Sequence, residues 1–595
     1  MTWVAWPRIL ELEQRPRLAQ LLLDHVRQRR WFRSKARTVR AASVVEVIPL
    51  DPGNQPGDVG GLGHAGNVGN VLTVLRIEYD GAEPELYAVP LARIDASGSK
   101  GAGDLEIVAL VSSGAAGTQR DDGDGGEGDC DGDGAIVDGL LLPGHAAEAL
   151  LEIIRQAGSA RGDGQGQVRG ETTEALIEAF GQTLPVARLS RLEQTNSTAI
   201  FGDRALLKIY RQLTAGPNPE LEMGRFLSLH CQPPCTPQVL GALFYRAPDG
   251  TEFSLGIAHE LLTNDGDAFT LALAAARAYL GRPGTNRATP PPGVPAGSDM
   301  EALVARALSR ATHPAPAPSG HSGGADDPDN AGGFVSRAAI LGRRTAELHL
   351  ALGRADEQDP DFGPRPLLAR EREAISDRVA SMLDQQLGAL SAAIPRLSPH
   401  ARQLTARLMT PACRSSISFK LARFREREMD VVATRTHGDL HLGQVLVRGD
   451  DFVIIDFEGE PSRPLPERRA RASPLRDVMG MVRSFDYVPE VLMRDASFMK
   501  DAVGAEADRH QLESWAESWK FQVTTSYLRG YLAAVSQGHA AFVPARAGDL
   551  ALLLTFYQLE KVIYEIAYEL NNRPDWVEIP LRGLAAIVTA EGLQT

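Results

Sequence analysis

The sequence predicts an α+β protein in which a small β-rich lobe is followed by a mostly helical lobe, with a further α+β segment in front of both. Three observations predict it. Short alternating runs at Val186–Leu192, Ala199–Phe201 and Ala205–Tyr210 read as strands of one small sheet. Apolar positions from Leu341 to the end recur at the period of α-helices. Residues 8–32 carry helical spacing before the alternating runs Ala42–Ile48 and Val71–Tyr79. Two stretches interrupt this text, and neither has the composition to bury a core: 99–134 is rich in Gly, Ser and Asp, and 281–333 in Pro and Gly around a short helical patch at Met300–Ala311. The expected division is 1–180 for an N-terminal cap and intermediate subdomain, 181–262 for the sheet lobe and 263–595 for the helical lobe.

The 595 residues are 43% hydrophobic and 23% charged, which excludes a globally disordered, collagenous or coiled-coil chain. The net charge of −14 argues against nucleic acid as a partner, because affinity for a phosphate backbone comes from cationic surface. No apolar run approaches the roughly 20 residues that span a bilayer, so no membrane contact is expected and the location is read as cytoplasmic. Four cysteines are too few for a disulfide framework, and Cys231-Gln-Pro-Pro-Cys235 is read as a Pro-rich turn rather than a redox or metal site. Asp129, Asp131, Asp133 and Gly134 copy the first half of a calcium-binding loop, but its twelfth position is Leu140 where a bidentate Glu is required, so calcium is not expected.

The chemistry is concentrated in Thr436-His-Gly-Asp-Leu-His-Leu-Gly-Gln444, a strand at Phe452–Ile455, and Asp456-Phe-Glu-Gly-Glu-Pro461. Phosphoryl transfer from ATP needs a carboxylate to orient the acceptor hydroxyl and oxygen ligands to hold Mg²⁺ on the phosphates. Kinases supply these as an Asp, an amide five residues later and an Asp after the next strand. Asp439, Gln444 and Asp456 have that order and spacing, with Glu458 as a further oxygen donor. Asp439 is thus the expected catalytic residue and a contact to the acceptor. His437 and His441 are expected to support it by hydrogen bonds, since a carboxylate already fills the acid–base role, and Asp477 is expected to brace the loop.

The remaining parts of such a site lie upstream. Lys208 sits in the strand Arg204–Tyr210, and Glu222 follows on an expected helix. A strand Lys paired to a helix Glu is the arrangement that contacts the α- and β-phosphates. Before Lys208, where protein kinases carry a glycine-rich loop, the chain has the polar run Glu193–Thr198. Gln194, Thr195, Asn196, Ser197 and Thr198 are candidate phosphate contacts through hydroxyl, amide and backbone N–H groups, and their polarity points away from protein kinases toward a small-molecule kinase. The fold class therefore sharpens to a bilobal protein-kinase-like fold behind an N-terminal α+β cap.

With these blocks in place, the chain resembles the bacterial maltokinases, relatives of the aminoglycoside phosphotransferases with an added cap. The resemblance rests on Arg30-Trp31-Phe32-x-x-Lys35, Glu193–Ser197, Phe201–Arg204 with Lys208, Leu341–His349, the two blocks around Asp439 and Asp456, Ser473–Tyr487 and Glu560–Pro574. It implies ATP- and Mg²⁺-dependent phosphorylation of maltose at its anomeric hydroxyl to give maltose 1-phosphate for α-glucan (glycogen) synthesis, with trehalose synthase as a possible partner.

Lys561, Tyr564, Glu565 and Tyr568 fall at i, i+3, i+4 and i+7, one face of a helix. Spacing alone favours an ordinary amphipathic helix with core tyrosines. The resemblance turns the face into a sugar site, where tyrosine rings stack on pyranose C–H faces and the charged groups bond hydroxyls. The rival readings are a kinase for another small hydroxyl compound, such as a different sugar, an aminoglycoside or choline, and a pseudokinase serving trehalose synthase. The latter should have lost Lys208, Asp439 or Asp456, and all three are present.

Overall fold

The computed structural model describes residues 3–4, 8–50, 69–95, 107–111, 134–181, 183–189, 196–231, 234–281, 299–311, 333–502, 506–538 and 540–589. The calcium-like Asp129, Asp131 and Asp133, most of both low-complexity stretches, and Glu193, Gln194 and Thr195 lie outside the described residues. The chain forms two compact units, one of Met1–Arg225 with Pro237–Thr263 and the other of Phe226–Thr236 with Asn264–Thr595.

The first unit holds two sheets. In the N-terminal sheet the order is Trp3–Val4, Ile107–Val111, Gly134–Asp138, Ala82–Asp95, Asn70–Tyr79 and Val39–Pro49, with the short strand Gln212–Leu213 also pairing with Ala82–Asp95. The helix Arg15–Arg27 buries Leu18, Leu22 and Val26 against this sheet, together with Trp31 and Phe32. The second sheet is antiparallel and runs Ser159–Arg161, Gln167–Thr172, Val239–Arg246, Glu252–Glu260, Ala205–Ile209, Ser197–Phe201 and Ala187–Leu189. The helix Ala146–Arg155 packs on it where the sheet presents two glycines: a β-carbon at Gly170 would lie 2.2 Å from the Ile153 carbonyl oxygen, and one at Gly241 would lie 2.3 Å from the Ile154 side chain.

The second unit is helical apart from two two-stranded ribbons among the described residues, Arg365–Pro366 with Val432–Ala433 and Val445–Arg448 with Asp451–Ile454. Three of its helices, Phe334–Gly353, Glu506–Gln537 and Ala547–Asn572, bury apolar residues because leucine, alanine and aromatic side chains recur on their inner faces. The first two cross backbone to backbone. A β-carbon on Gly342 would sit 2.0 Å from the Tyr527 carbonyl oxygen, and one on Gly530 2.0 Å from that of Ala339. Cys231 and Cys235, read from sequence as a Pro-rich turn, are joined by a disulfide. Their Cα atoms lie 6.2 Å apart, within bridging reach, and both side chains are buried. The backbone N–H of Ile454 donates to the Cys235 carbonyl at 3.0 Å, which ties this segment to the strand leading into Asp456. Among the described residues, no helix is long and apolar enough to cross a membrane.

Candidate active site

In the second unit the loop carrying Asp439 is held by its backbone. The fully buried Asp477, on the helix Leu475–Leu492, accepts the N–H groups of His437 at 2.7 Å and Gly438 at 2.9 Å. His349 donates from Nε2 to the same carboxylate at 3.3 Å, and its Nδ1 faces the Tyr531 hydroxyl at 2.9 Å. Burial alone would raise the Asp477 pKa, but the two histidines and these donors hold it below the usual carboxylate range. His437 donates from Nε2 to the Ile455 carbonyl at 2.9 Å and accepts the Asp439 N–H on Nδ1 at 3.3 Å. His441 accepts the Gly443 N–H on Nδ1 at 3.0 Å, and burial lowers its pKa. Both histidines thus spend ring nitrogens on the backbone of the loop.

Two glycines let this loop meet the segment after Asp456. Gly438 has φ +82° and Gly459 φ +72°, and a β-carbon on Gly438 would lie 3.3 Å from the Gly459 Cα. Asp456 itself is at φ +66°, a left-handed conformation that Asp adopts more readily than most residues and that is concentrated at functional positions. Gln444 and Asp456 are coupled twice. The Ile455 N–H donates to the Gln444 carbonyl at 3.0 Å, and Gln444 Nε2 donates to Asp456 Oδ2 at 2.9 Å.

The Asp439 carboxylate faces Lys561, with Nζ 3.3 Å from Oδ1. Burial would raise the Asp439 pKa, and Lys561 with the two histidines holds it down. Burial would lower that of Lys561, and Asp439 with Glu460 raises it, so the two groups keep each other charged. The Lys561 ammonium is also 5.2 Å from the Tyr564 ring centroid. Its helix is anchored by Glu560, which is buried and accepts from Arg476 at 3.1 Å and Arg378 at 3.4 Å, with Arg463 at 3.5 Å.

The helix face expected to hold a sugar divides in two. Tyr564 is half-buried, and burial and the neighbouring Glu460 push its phenol pKa well up; Tyr568 is 45% exposed. Glu565, expected as a sugar contact, is corrected to a structural role. It is 6% exposed and its carboxylate receives Arg483 Nε and Nη2 at 3.1 and 2.6 Å, which uses its oxygens within the core. At i+4 from Lys561 it lies on the inner edge of the face, which spacing alone does not separate from the outer edge.

In the first unit Lys208 is paired with Glu220, not with the expected Glu222. Nζ lies 2.9 Å from Oε2, the same oxygen accepts the Tyr210 hydroxyl at 2.9 Å, and His259 Nε2 is 3.5 Å from Oε1. The helix begins at Pro219, with Asn218 accepting the Glu220 N–H on Oδ1 at 2.8 Å, and two residues along it set Glu222 about 200° round the helix axis from Glu220. Asn218-Pro219 was the helix-start signal in the sequence that favoured the earlier Glu. Burial would raise the Glu220 pKa, but Lys208 and His259 hold it far below the ordinary value. Thr198 lies directly opposite Lys208 in the strand register and Ser197 opposite Ile209, while Asn196 is buried beside them.

No protein-family model matches the chain. It is 26% identical over 470 residues to a glucosamine kinase of Streptacidiphilus jiangxiensis, covering 76% of this chain and 87% of that protein. It is 24% identical over 468 residues to a glucosamine kinase of Mycolicibacterium smegmatis, covering 76% and 89%. A solved structure of a glucosamine kinase in complex with glucosamine, ADP and inorganic phosphate is similar with a TM-score of 0.54 at 17% identity, covering 93% of this chain and 95% of that one. A second crystal form of a glucosamine kinase gives the same TM-score. The mixed helix-and-sheet fold is therefore one found in sugar kinases.

Proposed function

We propose that this protein is an ATP-dependent sugar kinase that transfers the γ-phosphoryl group to the anomeric hydroxyl of maltose, giving maltose 1-phosphate and ADP. The sugar-kinase part of this reading is supported by the two relatives and by the fold. In the reaction the acceptor oxygen bonds to the γ-phosphorus, the bond from that phosphorus to the β–γ bridging oxygen breaks, and Asp439 takes the hydroxyl proton. Lys208, held by Glu220, would neutralise α- and β-phosphate charge. Gln444, Asp456 and Glu458 form an all-oxygen donor set suited to Mg²⁺, whose part when bound is to neutralise phosphate charge. Asp456 fits that role because its carboxylate stands beside Gln444, with Oδ2 2.9 Å from the amide Nε2.

The observation that carries the choice of sugar is Lys561 beside Asp439, on the helix that also presents Tyr564 and Tyr568. A second reading, glucosamine, is favoured by the named activity of both relatives. Lys561 argues against it, since an ammonium-bearing sugar would bring a second positive charge beside the Lys561 ammonium at the acceptor site. A neutral disaccharide meets no such penalty and finds a ring on which to stack. Maltose 1-phosphate would serve as an activated donor for α-glucan growth, and trehalose synthase would supply the maltose. Incubation with ATP, Mg²⁺ and a panel of maltose, glucose, glucosamine, an aminoglycoside and choline, read by mass spectrometry of the phosphorylated product, tests the reading. Maltose should dominate; turnover of glucosamine above maltose would replace the first reading by the second.

A further inference from the structure

We propose that Arg573 is a positioning residue that holds the Tyr568 ring for the glucose unit of the substrate that is not phosphorylated; the inference rests on the reading of the Lys561, Tyr564 and Tyr568 face as the sugar site. Pro574 has no N–H with which to continue the helix Ala547–Asn572, and the short turn Pro574–Trp576 follows. The Trp576 N–H donates to the Arg573 carbonyl at 2.8 Å, which brings the indole back to the helix end. Arg573 thereby meets two rings of its own chain. Its guanidinium carbon lies 4.4 Å from the Trp576 ring centroid and 5.5 Å from that of Tyr568.

The guanidinium is fixed by a carboxylate that is itself fixed. Nε donates to Glu569 Oε2 at 2.9 Å and Nη2 to Glu569 Oε1 at 2.7 Å, a two-point pairing that sets the plane of the cation as well as its place. Glu569 is 1% exposed, and its Oε1 also accepts the Tyr487 hydroxyl at 3.0 Å from the helix Leu475–Leu492. A planar cation held in this way offers its flat side to an aromatic ring, which the compact ammonium of a lysine does not. The Tyr568 ring is thus ordered from one side while the residue stays 45% exposed, so a face is ready for a pyranose before the sugar arrives. Its distance from the reacting atoms assigns the unit. Tyr568 follows Lys561 by seven residues, about 10.5 Å along the helix axis, whereas the Tyr564 ring centroid is 5.2 Å from the Lys561 ammonium. With the reacting hydroxyl at Asp439, beside Lys561, the ring at Tyr568 falls to the glucose unit farther from the transferred phosphoryl group.

The test is kcat and KM for maltose, with the KM for ATP and the melting temperature, in Arg573→Lys, Tyr568→Ala and the double variant. Arg573→Lys keeps a charge for the buried Glu569 and loses the flat side. It should raise the KM for maltose by about twofold to fivefold, while kcat and the KM for ATP stay within about twofold of the parent, because only the hold on the ring is lost. Added to Tyr568→Ala, it should raise the KM for maltose no further, since the ring it serves is already gone. An unchanged KM for maltose in Arg573→Lys, an equal rise on both backgrounds, or a fall in kcat in place of the KM effect would overturn the proposal. A parent protein that phosphorylates no maltose would instead bring down the sugar reading on which it stands. Should Arg573→Lys melt at a much lower temperature, Trp576→Leu, which removes the second ring and leaves the ion pair, takes its place in the same cycle with the same expected result.

Discussion

The ammonium of Lys561 lies 3.3 Å from Oδ1 of Asp439, across 122 residues of sequence, and the two charges depend on each other. Replacing Lys561 by Met leaves the burial of Asp439 with less to oppose it, so the carboxyl pKa rises. The proton-accepting form then disappears at a higher pH than in the parent. The acid limb of the pH dependence of kcat/KM for maltose should move upward. An unmoved limb would mean that Asp439 is set by other neighbours.

Asp439→Asn removes the proton acceptor but none of the groups assigned to the phosphates. Transfer should fall by about 10²-fold or more while ATP affinity stays close to that of the parent. Activity within a few-fold of the parent would refute the assigned role.

Asp456→Ala should behave differently, because a Mg²⁺ ligand acts on bound nucleotide as well as on the reaction. Nucleotide affinity should lose its dependence on Mg²⁺, as read by titration with and without chelator.

Tyr568 and Glu565 share a helix and should separate cleanly. Tyr568→Ala, at an exposed position, should raise the KM for maltose by roughly threefold to tenfold with an unchanged melting temperature. Glu565→Gln leaves the buried Arg483 with Asp486 as its remaining carboxylate partner and should cost about 1–3 kcal/mol of stability, seen as a lowered denaturation midpoint.

Asp138 gives a stability prediction with a definite sign. Arg211 and His25 overcome the effect of burial and bring its pKa down to about 2 from 3.8. A depressed carboxyl stabilises the folded state above its unfolded pKa and loses that contribution as pH falls through the folded value. The parent should therefore exceed Asp138→Asn by on the order of 2 kcal/mol at neutral pH, and the gap should close between about pH 4 and pH 2. Urea midpoints of the two proteins across that range check it.

Much of the candidate site was legible because its residues sit in short local runs. The spacing of Asp439, Gln444 and Asp456 follows from one loop and one hairpin, and strand edges such as Ala205–Ile209 were read to within a residue or two. Long-range partners left no such trace. Glu220 and Glu222 are both acidic, and only the helix start at Pro219 decides which faces Lys208. Glu565 is indistinguishable from a surface carboxylate until Arg483 arrives from the helix Leu475–Leu492. His349, which steadies Asp477, lies 128 residues from it. The bridge between Cys231 and Cys235 depends on the path of the intervening turn, which counting cysteines does not supply.

The crossing at Gly342 and Gly530 makes the loop of Asp439 hostage to positions outside it. Tyr531 follows Gly530 directly, and His349 stands two turns beyond Gly342, so the closeness of the two helix backbones sets the reach of the hydroxyl that orients His349 toward Asp477. A single methyl at either glycine would have to wedge the helices apart, and the displacement would pass along that chain of hydrogen bonds to His437 and Gly438. A blind screen for inactive variants should accordingly return these two glycines beside Asp439 itself, and a search for milder alleles should find them among the small residues tolerated nowhere else along the two helices.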